Sequence, residues 1–139
     1  MSRLGTRSQL RTNIPGDTRI CGRFNSDLTI LEGSQFYLTN PATGHYRVFL
    51  GQSAALAQPA LGLIVAIAST VVAAPAANPR VAIVHQILNP AGVVVTGSGG
   101  PIGSVIIGCI NPTTGAFANL ASNDDICFEF VVRDTEVRY

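Results

Sequence analysis

Asn-Pro closely followed by Gly occurs three times in this chain of 139 residues: in TNPATGHY (Thr39 to Tyr46), LNPAGVVV (Leu88 to Val95) and INPTTGAF (Ile110 to Phe117). Each copy separates runs of apolar, β-prone residues. Asn at the first turn position accepts backbone N–H groups ahead of it, and Pro fixes φ where a type I turn wants it. Gly then takes the left-handed conformation that returns the chain into the next strand. Three such reversals predict three tight hairpins. They are turn chemistry and not an active-site motif.

The segments around the reversals carry a period of two. DLTI (Asp27 to Ile30) and SQFYLT (Ser34 to Thr39) alternate polar and apolar residues, as half-buried strands do. HYRVFL (His45 to Leu50), Val81 to Leu88 and Val105 to Ile110 are read as the strands that flank the three reversals. In DICFEFVVRD, Ile126, Phe128, Phe130 and Val132 face one way, and Cys127, Glu129, Val131 and Arg133 the other. No stretch shows a helical stripe. The expectation is an all-β chain, a small β-sandwich or β-barrel-like domain of hairpins over residues 18–139, preceded by an extended arm over residues 1–17.

Arg3, Arg7, Arg11, Arg19 and Arg23 recur about every four residues. Gly5, Thr6, Thr12 and Asn13 are poor helix formers, however, and Pro15-Gly16 ends the segment. The reading is an arm, either loose or draped over a neighbouring subunit where its Arg forks meet carboxylates. Ala54 to Ala77 has no charge and is long enough on paper to span a bilayer. Pro59, Gly62 and Pro75 punctuate it, and Gln58, Ser69 and Thr70 interrupt it. LGLIVAIAS is therefore read as a strand buried on both faces, with no membrane partner.

Charged residues make up 12% of the chain, roughly half the usual share of about 25%. So few charges cover a small monomer's surface poorly, which points to burial in an assembly. A net charge of +1 gives no broad electrostatic case for nucleic acid. All nine basic residues are Arg, so P-loop, Schiff-base and Ser-Lys chemistry through lysine is excluded. Cys21, Cys109 and Cys127 have wide spacings, with only His45 and His85 as further soft ligands. No disulfide framework or zinc site is expected, and the three thiols are read as small buried residues in a reducing compartment. GSGGPIG (Gly97 to Gly103) fails as a dinucleotide loop, because Ile102 stands where the third glycine belongs. His45 is expected at the surface and His85 in a sheet. Asp124-Asp125 are read as a solvated loop, with a hard-cation site as the alternative. No catalytic residues, cofactor or metal are expected. The apolar N-terminal segment of a secretory signal is not seen, which suggests synthesis in a cytoplasm.

The stretch FYLTNPATGHYRVFLGQSAALAQPALGLIVAIAST, residues 36–70, resembles the head-decoration (cement) proteins of tailed bacteriophages. A strand (Phe36 to Leu38), a Thr43-Gly44 turn, a strand (Arg47 to Leu50), a small-residue linker (Gln52 to Pro59) and a Gly-led apolar strand (Gly62 to Ala68) follow in that order. The resemblance implies a β-rich virion protein that forms a homotrimer on a capsid lattice. There it would bind the major capsid protein, or another virion scaffold, across capsomers and stabilise the shell. The expected contact surface is the arm from Ser2 to Arg23, through Arg3, Arg7, Arg11, Arg19 and Arg23, together with Leu61, Leu63 and Val65 on the apolar strand Leu61 to Val72. The alternative is a tail, fibre or filament subunit assembling by strand addition. A small β-barrel enzyme or ligand binder is a further rival.

Overall fold

A computed structural model of the chain describes residues 17–50, 61–95 and 102–134, without the side chains of residues 17, 61–64 and 134. The described residues form eight strands and no helix: β1 Asp17–Asn25, β2 Ile30–Gly33, β3 Phe36–Ala42, β4 His45–Leu50, β5 Leu61–Val71, β6 Val81–Leu88, β7 Ser104–Ile110 and β8 Asp125–Asp134. They build two four-stranded sheets in the orders β2-β1-β8-β5 and β3-β4-β7-β6, and every pairing is antiparallel. The expected β-sandwich is observed.

Alternation explains the core. Ile20 and Phe24 of β1 and Ile126, Phe128, Phe130 and Val132 of β8 are buried from one sheet. Tyr46, Val48 and Leu50 of β4 and Val105, Ile107 and Cys109 of β7 meet them from the other. The Phe24 and Tyr46 rings contact across the layers at 5.6 Å between centroids. Phe36 packs edge-on to Phe128 at 4.9 Å. The Tyr46 hydroxyl, wholly inside, accepts the Leu120 N–H at 2.8 Å, which satisfies a donor that burial would otherwise penalise. Each buried aromatic contributes about 1.5–3 kcal/mol by removal from water.

The three reversals fold as their chemistry demands, with one variation. Gly44, Gly92 and Gly115 all have positive φ, at 71°, 86° and 77°. Asn89 Oδ1 accepts the Val93 N–H, and Asn111 Oδ1 accepts the Thr113 N–H. Asn40 acts instead as a donor, from Nδ2 to the carbonyls of Ala42 and His45, because its hairpin turns one step later, at Thr43-Gly44. Beyond the second and third turns the return paths are single bridges, Leu88 to Val94 and Ile110 to Phe117, where full strands were expected.

Three expectations are corrected. Residues 17–25 belong to a central strand, β1, which pairs with β8 along its whole length; the arginines of the N-terminal region had masked its alternating Ile20, Gly22 and Phe24. Ser26 and Asp27 form a turn, Asn25 Oδ1 accepts the Asp27 and Thr29 N–H groups, and the strand begins at Ile30. β5 is a strand, but among the described residues it stands at a sheet edge with one face outward, so it is not buried on both faces.

Candidate interaction surface

The outer face of the first sheet is divided into a charged half and an apolar half. On β1, Arg19, Cys21 and Arg23 point outward because Ile20 and Phe24 point in. Arg19 and Arg23 stand opposite Val131 and Cys127 of β8, and the diagonal neighbours supply carboxylates: Arg19 Nε lies 2.6 Å from Glu129 Oε2. Arg23 donates to Asp125 Oδ2 from Nε at 3.0 Å and from Nη2 at 2.6 Å, and Nη1 lies 3.7 Å from Glu32. The hydrogen bonds and charge of Asp125 push the Arg23 guanidinium above its usual range. Both arginines expected to reach a neighbour are therefore held by carboxylates of their own sheet. Arg3, Arg7 and Arg11 lie outside the described residues.

The other half of this face is β5. Register places Val65 beside Val131, Ile67 beside Glu129, Ser69 beside Cys127 and Val71 beside Asp125, all outward. Val65, Ile67 and Val71 are 40%, 56% and 47% exposed. Leu61 and Leu63 stand on the same strand without described side chains. In the second sheet the edge strand on the same side is β6, tied to β5 where the Thr70 hydroxyl donates to the Arg80 carbonyl at 2.9 Å. Val81 and Ile83 of β6 are also largely exposed. No charged residue occurs from Leu61 to Pro79, or from Val81 to Val95. An uncharged apolar flank thus runs along one side of the sandwich. Of its exposed residues only Val65 was singled out beforehand, because a run with no polar alternation gives no sign of which face is open.

The remaining candidates separate. Asp124, just before β8, and Asp125, its first residue, part ways: Asp125 meets Arg23, whereas Asp124 is buried and accepts the Ala73 N–H at 2.9 Å. The pair does not converge on a cation, and it is not a solvated loop. Among the described residues no group of three or more His, Cys, Asp and Glu side chains gathers. His45 and His85 do meet, with ring centroids 5.1 Å apart and the Phe117 ring 4.4 Å and 5.0 Å from them. They lean together over Gly108, where a Cβ would come within 2.9 Å of Phe117. His45 Nδ1 contacts the Thr43 carbonyl at 2.9 Å. The arrangement is an aromatic cluster that fastens the third turn onto the sheet.

Cys109 is buried as expected, and burial foremost, with Asp124 adding, pushes its thiol up to about 11 despite the opposing charge of Arg80. Cys21 is exposed, which corrects the expectation of three buried thiols, and Cys127 is half-buried. Residues Gly97 to Pro101 of the glycine-rich stretch lie outside the described residues. No protein-family model, curated protein or solved structure matches this chain.

Proposed function

We propose that this chain is a structural virion protein, a capsid decoration subunit that acts by binding to copies of itself and to a larger shell. The observation that carries the reading is the contrast between the two halves of its surface. On the first sheet Arg19 and Arg23 are paired with Glu129, Asp125 and Glu32, while the β5 and β6 flank leaves apolar side chains in water. An exposed contiguous apolar patch of that kind marks an interaction surface in a soluble protein. The N-terminal segment, with Arg3, Arg7 and Arg11, would add attraction to acidic patches on the shell. Each exposed pair contributes little, but many copies add.

The second reading is a fibre or filament subunit that assembles by strand addition. It is favoured by the length of β5, an edge strand of 11 residues without a charge to deter pairing.

Mixing the purified chain with shells that lack it tests the first reading. Saturable occupancy and a higher melting temperature of the shell are expected, with occupancy falling at least tenfold on deletion of residues 2–17. Absence of binding by the full chain, with filaments in negative stain, would transfer the assignment to the second reading. Unchanged occupancy of the truncated chain would remove the arm's anchoring role.

A further inference from the structure

The two sides of the sandwich are built differently. On the β2/β3 side, β2 has four residues and Glu32 on its edge. Its pairing with β1 slips between Arg23 and Phe24, and β3 carries Pro41 and a second irregularity between Thr39 and Ala42. Short length, charge, proline and bulges are the devices by which natural sheets prevent edge-to-edge pairing. The β5/β6 side has none of the first three. β5 is continuous over 11 residues, free of charge and of proline, and its single register irregularity, between Leu63 and Val65, leaves Val65 to Val71 regular.

We propose that β5 pairs antiparallel with β5 of a second copy of this chain, joining the two first sheets into one sheet of eight strands across a two-fold axis. The inference rests on the reading of the chain as a self-associating structural subunit, and it names the surface and the occupant. Three arguments select a second copy. First, a head-to-tail contact would need the β2/β3 side to accept β5, and that side is blunted. Among the described residues the side left unblunted carries β5 and β6, and two copies meeting through it make an isologous contact; of the two strands β5 has the longer regular run, since β6 slips between Val84 and Gln86. Second, a surface without charge meets itself without stranding any charge, whereas a charged partner would lose hydration with nothing in return. Third, the size is adequate. The regular run from Val65 to Val71 extends about 24 Å, at least the length of an ordinary strand, so a full ladder can form along it.

The register follows from parity. Centring the axis on Ala68 sets Val65 against the second copy's Val71 and Ile67 against its Ser69. All four outward side chains are then matched on one face, and Ala66, Ala68 and Thr70 on the other. Such a pair is a dimer, whereas the phage-protein resemblance implies a trimer, and solution mass separates the two.

Sedimentation velocity of the full chain under reducing conditions, over a concentration series, is expected to show a species of twice the 14.5 kDa chain mass. Hydrogen exchange on the same samples is expected to show free-edge amides within Val65 to Val71 protected at high concentration and exposed on dilution. Ile67→Glu, which sets carboxylates near the axis, should weaken association at least 100-fold. Leu31→Glu, at an exposed position on the opposite edge, should leave it unchanged. Circular dichroism checks that both variants fold, and exchange on the unmodified chain decides the matter if Ile67→Glu does not.

A trimer, a dimer with unprotected β5, or a folded Ile67→Glu variant that still dimerises would overturn the pairing and leave the structural role standing. Protection that persists on dilution and vanishes on deletion of residues 2–16 would show that the chain's own arm covers the edge, which also overturns it. A chain that stays monomeric yet decorates shells refutes only the pairing. One that neither self-associates nor binds shells refutes both.

Discussion

At the scale of single residues, the most informative groups are those whose protonation the core opposes. Cys109 is sealed between the sheets, and burial lifts its thiol from the ordinary 9.0 to about 11. Tyr46 is raised as well, chiefly by burial, with the Leu120 N–H acting in the opposite direction. Both groups stay protonated in the folded chain at pH values where the unfolded chain has begun to lose the proton. Between about pH 9 and 11 the unfolded state therefore binds fewer protons, and stability falls as pH rises. For Cys109 the loss reaches about 3 kcal/mol, from two pH units at 1.36 kcal/mol each. Urea unfolding measured anaerobically at pH 8 and at pH 10.5, short of the full loss, should differ by about 2 kcal/mol from this group. Cys109→Ala should start lower, because it leaves a cavity, and decline less steeply. An equal decline in the variant would show that Cys109 does not titrate in this way.

At the scale of elements, the turns give a comparison between two glycines with similar positive φ and different surroundings. Gly115 has open space around its Cβ position, whereas a Cβ on Gly44 would lie 2.7 Å from both the Ala118 nitrogen and the Cys109 carbonyl oxygen. Gly115→Ala is expected to cost about 1 kcal/mol from left-handed strain alone. Gly44→Ala should cost at least twice as much, since backbone must move as well, and thermal unfolding of the two variants measures the difference. The same elements show what was legible beforehand. Asn-Pro with Gly located all three reversals and with them the turn-side ends of β4 and β6, while the alternation in DICFEFVVRD gave the bounds of β8, because a half-buried strand must alternate. β1 was illegible in part because Gly22 interrupts the apolar row between Ile20 and Phe24, and the flanking arginines suggested an arm. Those arginines are outward residues of a sheet, and their carboxylate partners Glu129 and Asp125 lie more than 100 positions away. Such pairs are invisible until the register of β1 on β8 is known. The exposure of Val65, Ile67 and Val71 was hidden for a related reason: apolar residues on both faces read alike, whether a strand is central or at an edge.

At the scale of the whole molecule, the described residues pair Arg19 and Arg23 with carboxylates of their own sheet and leave one flank apolar. A chain with 12% charged residues has little else with which to cover itself, and association is the general remedy for such a surface. The low charge that suggested an assembly and the open β5 edge are thus one property viewed in sequence and in space. The central claim, a virion subunit that works by adhesion, is tested most directly by quantifying this chain in salt-washed, purified particles against their major shell protein. A fixed ratio that survives washing is predicted. A chain recovered only in the soluble fraction, with none retained on the particles, would contradict the account.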